Sequence, residues 1–132
     1  MRLWHYKLIP VLPNAMLVSQ WRECIAIKRQ WEKGTLKHRL VSYVKDYPTY
    51  YFLGYVDKVC CELYKRKIKY NYKYYEEIDN FCNIRIEPAD NYPEHNDRYL
   101  RQCYYNLQEK YDREIITFDE WKKIEDLVGD EI

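Results

Sequence analysis

Thr49-Tyr50-Tyr51-Phe52-Leu53-Gly54-Tyr55-Val56-Asp57-Lys58-Val59-Cys60-Cys61-Glu62-Leu63-Tyr64-Lys65-Arg66-Lys67 is the stretch on which the fold turns. Phe52, Val56, Val59, Cys60 and Leu63 recur at the spacing of one helical face. That face predicts a long helix over Thr49 to Lys67 with a buried stripe. Asp46 suits a cap and Pro48 an early first-turn position. Gly54, inside the helix, costs about 1 kcal/mol relative to Ala and points to a close helix crossing.

Upstream, a short helix is expected over Lys37 to Lys45. From Ala15 to Lys33, Leu17, Trp21, Cys24, Ile25 and the stem of Lys28 again follow helical spacing, with Asn14 as N-cap and Gly34 as a C-terminal stop. Residues 1 to 13 read as extended, because Pro10 and Pro13 disfavour a helix. Downstream, residues 68 to 92 read as irregular, with a short strand over Asn83 to Glu87. A further helix runs from about Asp97 to Tyr111, with Leu100, Cys103, Tyr104 and Leu107 on one face. Thr117-Phe118-Asp119-Glu120 has the form of a capping box. It starts a last helix carrying Trp121, Ile124 and Leu127, stopped by Gly129. The expectation is an all-α fold: one compact domain over residues 1–132, of four to five helices with an extended N-terminal arm.

The 132 residues are 47% hydrophobic and 33% charged, which excludes a disordered chain. The longest run without charge, Leu8 to Trp21, contains two prolines and falls short of the roughly 20 residues a membrane helix needs. No signal peptide is evident. The five cysteines show no C-x-x-C spacing and are odd in number, so neither a disulfide framework nor a zinc site is indicated. A reducing, cytoplasmic setting follows as an expectation. Tyrosine is over-represented, with 16 residues.

Net charge is +1, but residues 1–75 carry +10 and residues 76–132 carry −9. Two readings are open: a basic surface built by the first part that attracts an anion, or two parts that neutralise each other across an interface. Lys65-Arg66-Lys67-Ile68-Lys69-Tyr70-Asn71-Tyr72-Lys73-Tyr74-Tyr75 interleaves cations with flat rings. Cations neutralise phosphates and rings stack on bases, so the segment suits a nucleic acid. A solvated helix end running into a loop is the alternative. No phosphate-binding glycine loop, dinucleotide fingerprint or nucleophile–base spacing is present. His95 and Asp97, near a helix start, are candidates for a metal or for capping the helix, and no ligand spacing supports the metal. Glu23 lies about 200° around its helix from Trp21 and faces either water or a groove.

Met1-Arg2-Leu3, followed by Leu17-Val18-Ser19-Gln20-Trp21-Arg22-Glu23, resembles the pyrimidine-dimer DNA glycosylase/AP lyase family of the endonuclease V type. There a short N-terminal arm precedes a helix bearing an aromatic-Arg-Glu triplet. The stretch from His38 through the Thr49 to Lys67 helix is similar to the family's long helix. Met1-Arg2-Leu3-Trp4-His5, Leu8-Ile9-Pro10, Leu12-Pro13, Pro93-Glu94-His95-Asn96-Asp97 and Tyr99-Leu100 resemble a group of small bacterial and phage proteins related to it.

The resemblance implies an all-α fold, no cofactor, a monomer, and double-stranded DNA with a damaged base or abasic site as partner. It also implies a mechanism in which the N-terminal amine attacks C1′ of the damaged nucleotide, forms an imine and breaks the strand by β-elimination. The chemistry suits such an amine: α-amines titrate near 7.7 to 8.0 and lysines near 10.4, so more of the former is neutral at physiological pH. Met1 takes the nucleophile's place, since the second residue, Arg2, is large and initiator removal prefers small ones. Glu23 matches the carboxylate that stabilises the imine and handles protons. Arg22 matches the Arg on the DNA backbone, and Arg2 a basic residue beside the nucleophile. Lys28, Arg29, Lys65, Arg66, Lys67, Lys69 and Lys73 are further candidate DNA contacts. Met16 stands where the family carries a His, and Ala26 where it carries an Arg. A non-catalytic nucleic-acid or nucleotide-binding protein on the same scaffold is the alternative. A third is an interaction protein that presents its acidic C-terminal helices.

Overall fold

The computed structural model describes residues 1–84 and 90–132. Among the described residues five α-helices follow a short arm: α1 Asn14–Lys33, α2 Thr49–Lys65, α3 Tyr72–Cys82, α4 Asp97–Asp112 and α5 Phe118–Val128. The fold is all-α, as expected, and no strand occurs among the described residues. The strand expected over Asn83 to Glu87 falls largely outside them. Within it, Asn83 takes the left-handed conformation that ends α3.

Three helices close in the same way. The N–H of the residue after the left-handed position reaches back to the carbonyl five residues earlier: Thr35 to Gln30, Ile68 to Leu63 and Ile115 to Lys110. The left-handed residues are Gly34, Lys67 and Glu114. Gly34 is the relaxed choice there, whereas Lys67 and Glu114 carry a Cβ where glycine is preferred. At the other ends, Asn71, Asn96 and Thr117 cap α3, α4 and α5 through their side chains. The capping box from Thr117 to Glu120 is fully formed. Gly129 does not stop the chain abruptly, since a single 3-10 turn, Gly129–Glu131, follows α5.

Four expectations need correction. Residues 68 to 92 are not all irregular: Tyr75, Ile78, Phe81 and Cys82 give α3 an inward face, which the density of tyrosines conceals in the sequence. The arm is not extended through Pro13, because Tyr6–Val11 winds into a 3-10 helix that contains Pro10. The fixed φ of proline, about −65°, suits a 3-10 turn, and its missing N–H forfeits at most one bond in so short a segment. The short helix before α2 is only a 3-10 turn, Ser42–Asp46, and Pro48 rather than Asp46 sits at the N-cap of α2. Asn14 is the first residue of α1 rather than its cap, and its Oδ1 accepts from Arg66 Nη1 at 2.9 Å.

The buried side chains form one cluster that runs from Leu3 in the arm to Val128 in α5. Contacts of Arg66 with Asn14 at one end, and of Trp31 with Phe52 at the other, show that α1 and α2 run antiparallel. The expected stripe of α2 is buried in full, and Leu53, Gly54 and Tyr55 are buried beside it.

Arg66 ties the arm to α2. Its guanidinium donates to the carbonyls of Leu12 (2.6 Å), Pro10 (3.0 Å) and Ile9 (3.3 Å) and pairs with Glu62 at 2.9 Å. A planar fork with five donors fits this set of acceptors, whereas an ammonium is a compact point charge. Arg66→Ala is expected to destabilise the protein by about 1–3 kcal/mol, and Arg66→Lys to recover only part of it. Urea denaturation of both variants checks this, and a full recovery by Lys would show that charge alone is required.

Candidate active site

Residues 1–5 belong to no helix, so their backbone groups need partners from elsewhere. Leu3, Trp4 and His5 are buried, and side chains from α1, α2, α4 and the Tyr92–Asn96 turn satisfy the arm. Gln20 of α1 uses both ends of its amide. Its Nε2 donates to the Arg2 carbonyl at 2.9 Å, and its Oε1 accepts the Trp4 N–H at 2.8 Å. Tyr55 of α2 donates to the Trp4 carbonyl at 2.6 Å and shares Gln20 Oε1 at 3.0 Å. Tyr99 of α4 donates to the Leu3 carbonyl at 2.5 Å. His95 Nδ1 accepts the Tyr6 N–H at 3.2 Å, and its Nε2 lies 2.8 Å from the Tyr43 hydroxyl.

This clamp delivers the start of the chain to Glu23. The Arg2 N–H points at Glu23 Oε2 over 3.4 Å, and the same oxygen accepts from Gln20 Nε2 at 3.2 Å. Successive backbone nitrogens are no more than about 3.7 Å apart, so the Met1 amine lies within about 7 Å of the carboxylate. Of the two alternatives for Glu23, water or a groove, the structure gives the groove: the residue is half-buried against the arm. Arg2 lies over Trp4, 5.2 Å from the ring centre, and Arg22 is exposed one residue from Glu23.

Burial sets the protonation of the clamp. The hydroxyls of Tyr43, Tyr55 and Tyr99 are pushed above the usual tyrosine range, chiefly by loss of water, and so stay protonated; Tyr55 and Tyr99 act as donors to the arm. His95 is pushed down to about 3 by burial, with the neighbouring His5 adding to the shift. It is therefore neutral, and since Nδ1 accepts a backbone N–H, its proton belongs on Nε2 and is donated to Tyr43. Both ring nitrogens are engaged, and Asp97 is exposed in the first turn of α4.

The remaining candidates divide by what already holds them. Lys28 is buried and pairs with Glu32 and Glu77, both at 3.2 Å. Arg29 grips the same Glu77 with two bonds of 3.0 and 3.2 Å and lies over Tyr74. Arg66 is turned into the arm. Lys65, Lys67, Lys69 and Lys73 are exposed and form no ion pair among the described residues. They flank the connector between α2 and α3, where Tyr70 packs on Trp21 with ring centres 5.4 Å apart. Both readings of the charge asymmetry hold in part. Lys7–Glu131, Lys28–Glu77 and Arg29–Glu77 neutralise across the two parts, while the connector lysines remain a basic surface.

Sequence reasoning did not single out Gln20, Tyr43, Tyr55 and Tyr99. Gln20 left a signal, since it is a polar residue three after Leu17 and four before Cys24, on the apolar face of α1. The tyrosines left none, because a tyrosine on a buried stripe reads as core.

The sign of the His95 shift fixes a pH dependence. Its folded pKa lies below the unfolded value, so protons bind the unfolded chain preferentially and stability falls as the pH drops below about 6.5. Between pH 7.5 and pH 5 the loss expected from this group is about 2 kcal/mol, in a window where carboxylates contribute little. Urea titrations at the two pH values are expected to show that loss in the wild type and most of it absent in His95→Gln. Equal losses in both would assign the acid sensitivity elsewhere.

The sequence profile of the pyrimidine dimer DNA glycosylase family matches residues 1–76. That span holds the arm, α1, α2 and the start of α3. No curated protein and no solved structure was found to match. The match takes in more than half of the chain, including Glu23 and the arm that reaches it. The chain therefore belongs to the pyrimidine dimer DNA glycosylase family.

Proposed function

We propose that the protein is a DNA repair glycosylase with AP lyase activity whose nucleophile is the Met1 α-amine. The placement of the arm carries this reading: four helical or turn segments hold residues 2–6 so that the first residue adjoins a half-buried carboxylate. The amine lone pair attacks C1′ of the damaged nucleotide. The base leaves with the electrons of the glycosidic bond and takes up a proton. Opening of the sugar ring gives a protonated imine at C1′, which acidifies the C2′ hydrogen. Removal of that proton expels the 3′ phosphate and breaks the strand.

Glu23 serves twice, as the counter-charge of the imine and as the base that moves protons. Arg2 and Arg22 adjoin this centre and suit the phosphates beside the lesion. Lys65, Lys67, Lys69 and Lys73, exposed and without ion pairs among the described residues, add a basic surface for nucleic-acid phosphates, whereas Arg29 is already held by Glu77. Lys28 and Arg66 act through the scaffold, because Glu77, Glu62 and the arm carbonyls already take up their donors. The substrate class is a pyrimidine dimer or another modified base, brought out of the stack before attack. The second reading, a nucleic-acid or nucleotide-binding protein without chemistry, draws on Met16 and Ala26, which replace the family's His and Arg.

Borohydride trapping separates the two. With duplex DNA carrying one abasic site, reduction is expected to leave a covalent protein–DNA adduct. Acetylating the N-terminus should abolish it, and Glu23→Gln should slow strand cleavage by about 100-fold or more. An adduct that survives the acetylated N-terminus would move the nucleophile to a lysine. Binding without any adduct would leave the second reading.

A further inference from the structure

The connector between α2 and α3 forms a cleft whose exposed rings have no part in the proposed reaction, although its lysines belong to the basic surface described above. Tyr64 at the end of α2 is 79% exposed, and Tyr72 at the start of α3 is 58% exposed. Tyr70 stands between them, and Tyr75 stacks on Tyr72 with ring centres 5.3 Å apart. These rings wall two adjoining hollows of about 750 and 500 Å³, both bounded by Tyr64, Lys65, Tyr70 and Tyr72. Lys67 and Lys69 complete the rim of the larger one.

Three observations bear on what the cleft receives. Exposed rings grouped in one patch and rimmed by charged residues are the kind of surface that marks an interaction site. The lysines at the rim form no ion pair among the described residues, so the larger hollow favours an anion, while Asp57 lines the smaller one. Lys67 occupies the left-handed position of the α2 terminus, φ 59°, where glycine would relax the backbone. Its side chain adds a charge to the rim of the larger hollow. Flat, uncharged faces beside spaced cations match the alternation of base and phosphate along a single strand.

The cleft is also set apart from Glu23. Tyr70 rests on Trp21, and Trp21 and Glu23 project from α1 about 200° apart. The two regions therefore lie on different flanks of the same helix.

We propose that this cleft is a binding site for single-stranded nucleic acid, with bases stacked on Tyr64 and Tyr72 and phosphates on Lys65, Lys67 and Lys69. It deepens the DNA-directed reading given above, but its stacking contacts do not require Glu23 or the Met1 amine.

The test compares two labelled oligomers by fluorescence anisotropy: a 12-mer of deoxythymidylate, and an inorganic polyphosphate of similar charge, which carries neither bases nor sugars and so offers the Glu23 centre no abasic residue. Wild-type protein is expected to bind the thymidylate oligomer at least tenfold more tightly. The Tyr64→Ala/Tyr72→Ala variant is expected to bind both equally. Both side chains are exposed, and its melting temperature should match the wild type. Three phosphate contacts give log K against log salt a slope of about −2 for the single strand.

Equal binding of the two oligomers by the wild type would overturn the proposal. So would a preference that survives the double variant. Borohydride trapping of the same variant on abasic duplex separates this result from the lyase reading. Trapping retained while the base preference is lost supports the cleft as a separate site. A base preference without trapping in the wild type would support the cleft while removing the lyase reading.

Discussion

The backbone of residues 2–6 lies against the core without a regular ladder to join, and its buried N–H and C=O groups cannot go unpaired. The rest of the architecture answers that demand. Gln20, Tyr55, Tyr99 and His95 come from four separate places in the chain and converge on these few peptide groups. Burial holds the three that can titrate in one state: Tyr55 and Tyr99 stay protonated and His95 stays neutral. A segment outside regular secondary structure is ordinarily among the more mobile parts of a protein. Here residues 2–6 are fixed by side chains whose own helices are anchored in the core.

Two of the four clamps, Tyr99 and His95, lie beyond residue 76, where the family match ends. The second part of the chain thus does structural work for the first. Lys7 and Glu131 repeat the pattern at the surface, 2.9 Å apart. Seating the arm against Glu23 is a property of the whole chain, even though the candidate chemistry rests on its first 23 residues.

The cations fall into three groups by environment. Lys28 is buried and must keep its carboxylate partners, because removing one would strand a charge out of water. Arg66 turns its guanidinium to the carbonyls of Ile9 and Pro10 in the 3-10 turn and of Leu12 just after it. The connector lysines face water. Net charge along the sequence treats all of these alike, and only their surroundings tell which remain available to an anion.

Helical periodicity was enough to read α1, α2, α4 and α5 from the sequence, because each has an apolar stripe long enough to outweigh its polar neighbours. The capping box at Thr117 and the stop at Gly34 were legible for the same reason: they are local chemistry at fixed offsets. Helix α3 was not, since its stripe is built from Tyr75, Ile78, Phe81 and Cys82 amid tyrosines on every face. Glu23 could be placed off the Trp21 face by counting residues, and the family resemblance named it. That the groove beside it is filled by the chain's own first residues is a contact between positions 21 apart. The partners that hold those residues lie 16 to 96 positions away. No local pattern encodes such pairs. They exist because folding buries backbone groups that then require donors and acceptors, and only the tertiary structure shows which side chains are within reach.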